Sequence, residues 1–179
     1  FRELVAEGSL SNIFVPVFTD VIDREGMNGA WQVANAFLGM LLFALGIITL
    51  LTFSFADGWV WLLAGGFSED PEKFSLAVRL TRIFSPFVAT MSLSCVFMGM
   101  LNVKGRFFLP ALAPAVFNLL VIIGCLAAPW LAMSLNQPPI VIVTVASLLG
   151  GVGQCVVQLP ALRRVGFRFR PTLTGHPAL

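Results

Sequence analysis

Arg2 and Glu7 are the residues whose type and position most invite chemistry, because they open a chain that elsewhere avoids charge. The first stretch, FRELVAEGSLSNIFVPVF, sets Arg2, Glu3 and Glu7 beside Gly8 and ahead of Pro16. A charge in the hydrocarbon region costs on the order of 3 kcal/mol or more, so such residues face a bundle interior or a water-filled cavity. At bilayer depth, Arg2 and Glu7 would therefore line something wet. Glu7–Gly8 would also suit a helix break that leaves backbone groups open to a ligand. Alternatively, Phe1–Gly8 is the exposed end of a helix at the membrane surface.

Other polar residues within apolar stretches are fewer. Glu3, Glu7 and Ser11 recur at helical spacing and share one face, so Ser11 is a candidate cavity or packing residue. Arg79 and Arg82 stand three apart, either snorkelling to the interface or with one of them turned to the same cavity. Asn118 and Gln154 suit interhelical hydrogen bonds, and Ser147 with Gly151 makes a small-xxx-small face for close helix approach. Cys95, Cys125 and Cys155 read as small core residues rather than a metal or disulfide framework. The single histidine, His176, falls near the end, and no HExxH, acidic pair or nucleophile with a base marks a catalytic site. No metal and no cofactor is expected, and a net charge of +2 gives no reason to expect nucleic acid.

The elements that must carry these residues are membrane helices. Of 179 residues, 58% are hydrophobic and 11% charged, against about 25% charged in soluble domains. Mean hydropathy is +0.91. Crossing a bilayer takes about 20 apolar helical residues. Charge-free gaps predict spans at about 28–55, 74–102, 110–133 and 138–162, after the end of a helix at 1–23 that turns at IDREG. A short interfacial helix is expected at about 58–66, anchored by Trp59 and Trp61. Pro86 should kink the third segment at or just before Ser85. Residues 163–179 form a tail. The fold class is an all-α integral membrane helical bundle, and 1–179 reads as one membrane domain cut from something longer.

Loop charges orient it. Arg24, Lys104, Arg106, Arg163, Arg164, Arg168 and Arg170 fall on one side if the spans alternate, against Lys73, Arg79 and Arg82 on the other. The richer side is cytoplasmic by the positive-inside rule, which turns FSEDPEKF and SLNQPP outward. The arginines at 163–170 are placed to meet anionic membrane lipids.

Several blocks together resemble one family. The opening FRELVAEGSLSNIFVPVF, TRIFSPF at 81–87, GMLNVKGRFFLPALAPAVFNL at 99–119 and GGVGQCVVQLPALRRVG at 150–166 are similar in order and spacing to the MurJ/MviN family of lipid II flippases. That resemblance implies membership of the multidrug/oligosaccharidyl-lipid/polysaccharide exporter superfamily, with two helical lobes around a central cavity. It implies that this chain is part of the N-terminal lobe, from the end of helix 2 through helix 6, in a multi-pass protein of the bacterial inner membrane. The implied activity is flipping of lipid II, the undecaprenyl-diphosphate-linked peptidoglycan precursor, with the remaining lobe of the same protein as partner. Arg2 then matches a cavity arginine that meets the diphosphate, and Glu7 the acidic residue of the AEG motif, pairing with an arginine or holding a gate. Glu3 departs from the pattern, where a second basic residue is common. A related exporter of another polyprenyl-linked sugar or drug, or a structural membrane subunit, are the competing expectations.

Overall fold

The computed structural model describes residues 9–170, leaving out the side chains of 9–13 and of Ser68. Helix α1 (Ser9–Ser54) holds Gly26 at φ 73°, ψ −174°, a backbone geometry that breaks the helix into two arms. Only glycine reaches that region without a steric penalty. Phe14 and Phe37 lie 5.0 Å apart between ring centroids, and Phe18 and Trp31 lie 5.4 Å apart. On one straight helix Phe14 and Phe37 would be separated by about 34 Å at 1.5 Å per residue. The arms therefore fold back on each other as an antiparallel hairpin with Gly26 at its tip. Asp23, Arg24 and Glu25 beside the tip are exposed, as a water-facing turn requires.

After α1 come α2 (Ala56–Leu63), a 3₁₀ turn (Gly65–Glu69), α3 (Pro71–Phe84) and α4 (Phe87–Val103). The Asp70 side chain caps α3, accepting hydrogen bonds from the Glu72 and Lys73 N–H groups at 3.1 and 3.2 Å, with Pro71 in the first turn where its missing N–H costs nothing. Ser85 and Pro86 separate α3 from α4, since proline cannot continue the hydrogen-bond ladder. Helices α5 (Phe108–Leu135), α6 (Pro139–Val156) and α7 (Leu159–Arg164) complete the described helices. No strand occurs among the described residues. Among the described residues, four helical stretches are long and apolar enough to cross a membrane: Phe14–Ser54, Pro71–Val103, Phe108–Leu135 and Pro139–Arg164.

The core gathers at one end of the bundle. Phe14, Phe18, Val33 and Leu38 of α1 pack with Phe97, Met100 and Leu101 of α4, Leu162 of α7 and Phe167. At the other end Ala56, Val60 and Val78 join α2 to α3. The most extensive helix contact is between α5 and α6. Glycines make it close: a Cβ added to Gly124 would collide with the Ala146 side chain, and one added to Gly150 would run into Phe117. Gly151, grouped with Ser147 in the sequence pattern, instead faces Thr90 and Phe87 across the α4 seam. Ser147 turns back to its own helix, donating to the Val143 carbonyl at 2.9 Å. Cys95 and Cys155 are buried as expected of small core residues, but Cys125 is exposed, because its position on α5 points away from α6 and α4.

Candidate functional site

Arg2 and Glu7 lie outside the described residues, and Ser11 belongs to the first arm of α1 with its side chain undescribed. Arg82 ends α3, where its Nη2 donates to Asp57 Oδ2 of α2 at 2.7 Å and its guanidinium sits 5.9 Å from the Phe53 ring centroid. Its neighbour Arg79 donates to the Gln137 carboxamide oxygen, so both arginines tie elements together at the end of the bundle carrying α2. Asn118 is exposed on α5 and makes no side-chain hydrogen bond among the described residues. The interhelical bond expected there is missing, because this face of α5 turns away from its neighbours. Outside the spans, Asp70 is held below the usual carboxylate range, first by the Lys73 ammonium and then by the Lys73 N–H.

Gln154 does bridge helices, with its Nε2 directed at the Met91 sulfur of α4. One turn on, Gln158 has no exposed surface. Its Nε2 donates to Ser94 Oγ at 2.7 Å, Gln154 O at 2.9 Å and Ser94 O at 3.3 Å, while its Oε1 is buried without a partner. A polar seam thus runs through the α4–α6 contact. Four-residue spacing places Gln154 and Gln158 on one face, a signal present in the QCVVQ run, although Ser94 is 64 positions away.

Beside that seam opens a cavity of about 930 Å³ between α4, α6, α7 and the strap at 165–169. Leu93, Phe97, Val152, Val156 and Leu159 line it, with Arg163 and Arg168 at one end. The strap is fixed by Asn35 of α1, whose Nδ2 donates to the Arg168 carbonyl at 3.1 Å and whose Oδ1 accepts the Arg170 N–H at 2.6 Å. Trp31 packs on Phe167 at 5.3 Å between centroids, and Gly166 supplies the φ of 91° that turns the chain. The Asn35 clamp carries no signal in the sequence pattern, since the strap residues it holds lie more than 130 residues away.

Helices of spanning length, proline breaks, a buried polar seam and a cavity walled by apolar side chains define a multi-pass, all-α membrane protein. Residues 1–179 match the family model described as lipid II flippase MurJ, and the chain belongs to that family. It is 35% identical over 186 residues to the probable lipid II flippase MurJ of Rhizobium meliloti, covering 98% of this chain and 34% of the relative. With the lipid II flippase MurJ of Burkholderia cenocepacia the identity is 34%, covering 92% and 31%. With the probable lipid II flippase MurJ of Thermotoga maritima it is 30%, covering 97% and 33%. The chain thus spans about a third of the length of these relatives.

Proposed function

We propose that this chain is the N-terminal-lobe portion, from the end of helix 2 through helix 6, of a transporter in the bacterial inner membrane that moves lipid II from the cytoplasmic to the periplasmic leaflet. The observation that carries this reading is the family match along residues 1–179, together with the flippase names of the relatives. Arg2 binds the diphosphate, because a guanidinium presents paired N–H donors to phosphate oxygens and stays charged. Glu7 pairs with an arginine in the empty state and releases it when the substrate arrives. The lobes rock to expose the headgroup first inward, then outward, as in other transporters built from two repeats. The lipid tail stays in the bilayer throughout, so no polar path for the whole molecule is needed. The other lobe completes the site, and the reaction class is transport, with no bond made or broken.

The hairpin at Gly26 supports the assignment of the two arms of α1 to helices 2 and 3. It packs the first arm of α1, which directly follows Arg2 and Glu7 in sequence, against the second arm through Phe14, Phe18, Trp31 and Phe37. The test uses the full-length protein. Arg2→Ala should abolish rescue of a flippase-depleted strain, and vesicles carrying labelled lipid II should show no transfer above the protein-free rate. Normal growth at normal protein levels would remove Arg2 from the mechanism, and transfer of a different polyprenyl-linked sugar in place of lipid II would reassign the substrate.

A further inference from the structure

We propose that the groove between α4, α6 and the 165–169 strap binds an anionic glycerophospholipid of the cytoplasmic leaflet, its phosphate at Arg163 and Arg168 and one acyl chain along the apolar floor. The dimensions fit that occupant. Val152 of α6 and Arg163 of α7 both line the groove, and helical rise along the two helices, with the turn at 157–158 between them, puts them on the order of 16 Å apart. One leaflet of a hydrocarbon core about 30 Å thick has that depth. The floor is Leu93, Phe97, Val152, Val156 and Leu159, and among the described residues no acidic side chain lines it.

Charge argues for an anion at the arginine end. Arg163, Arg164, Arg168 and Arg170 are all exposed, and among the described residues none of them is ion-paired with a carboxylate. Four guanidinium groups at the membrane boundary attract an anionic headgroup, and the fork of each suits phosphate oxygens. The wall bearing Arg168 is built in advance. Asn35 holds the backbone on either side of Phe169, and Phe169 meets Phe97 edge to face at 6.5 Å. A side chain that merely snorkelled would need neither a clamped wall nor a groove beneath it. The inference does not depend on which lipid the whole protein moves.

The test places the full-length protein in phosphatidylcholine nanodiscs doped with phosphatidylglycerol that carries a photoreactive group on one acyl chain. Crosslinked peptides are then mapped by mass spectrometry. Peptides bearing Val152 and Val156 should be labelled by the phosphatidylglycerol probe well above a matched phosphatidylcholine probe. Arg163→Gln and Arg168→Gln should each lower that labelling about fivefold, the weight of one basic residue at an anionic surface. Val156→Trp, which fills the groove and leaves the arginines intact, should lower it as well. Equal labelling by both probes would overturn the proposal, because bulk lipid then suffices. So would absence of labelling by either probe, which would mean another part of the chain covers the groove. Competition by undecaprenyl diphosphate but not by unlabelled phosphatidylglycerol would also overturn it.

Discussion

Gln158 shows how little a buried amide gains unless both of its ends are satisfied. Its N–H groups have three acceptors, while its oxygen has none. A polar bond between membrane helices averages about 0.6 kcal/mol, whereas truncating a filled core position costs about 2–5 kcal/mol. Gln158→Met, which keeps the volume, should therefore destabilise the protein by about 1 kcal/mol, and Gln158→Ala by more than twice that, in unfolding titrations of the full-length protein. Equal costs would show that hydrogen bonding, not filling, dominates the seam. Asn118 gives the opposite case, since it is exposed and unbonded among the described residues. Asn118→Leu should leave stability within about 0.5 kcal/mol of the parent. A loss of transport at unchanged stability would then assign Asn118 to a surface shared with the rest of the protein. The Asp57–Arg82 pair, short but with side chains 60% and 41% exposed, falls in the class of surface bridges worth less than about 1 kcal/mol.

At the scale of elements, close approach is set by single missing methyl groups. Gly124 and Ala146 share one site on the α5–α6 contact, where there is room for one Cβ but not two. Gly124→Ala should destabilise by about 1–3 kcal/mol through overpacking, and adding Ala146→Gly should return most of it. Failure of the second change to rescue the first would mean that the helices do not meet at this register. The α3 cap carries a pH dependence whose sign follows from Asp70. Its carboxyl is held below the ordinary aspartate range by Lys73. Folding therefore favours the ionised form, and the stabilisation is present above the unfolded-state value and lost as the pH falls through the lower folded-state value. Asp70→Asn should flatten that acid limb of the melting profile and, at neutral pH, lose the part of the stabilisation that Lys73 supplies while keeping the cap, since an asparagine oxygen also caps a helix. Much of this level was legible beforehand. The all-α membrane class followed from charge-free runs, and proline and glycine punctuation lies where helices part, at Gly26 and at Pro86. The partners of each face were not legible. Ser147 and Gly151 share a face by spacing, yet one bonds its own helix and the other meets α4, because periodicity gives a face and not its neighbour.

For the molecule as a whole, the groove and the strap stayed out of reach of sequence reasoning because they join positions such as Asn35 and Arg168 that no local pattern links. Sidedness is the opposite kind of property, a sum over loops that needs no contact to be known. Lys104 and Arg106 between α4 and α5, with the four arginines at 163–170, lie at one end of the spans, and Glu69 and Asp70 before α3 lie at the other. Lys/Arg-rich loops stay cytoplasmic, and on that rule we propose that the end bearing α2 and Asp70 faces the periplasm. Cysteine labelling in a cysteine-free full-length background tests this directly. Glu69→Cys should react with a membrane-impermeant maleimide added to intact spheroplasts, and Arg106→Cys should react only after the membrane is opened. Both positions are exposed and lie outside the long apolar runs, so a silent site reports sidedness rather than burial. The reverse pattern would turn the strap and its arginines to the periplasm. They would then face away from the leaflet where the proposed transport starts, and both its proposed direction and the proposed cytoplasmic-leaflet lipid site would fail together.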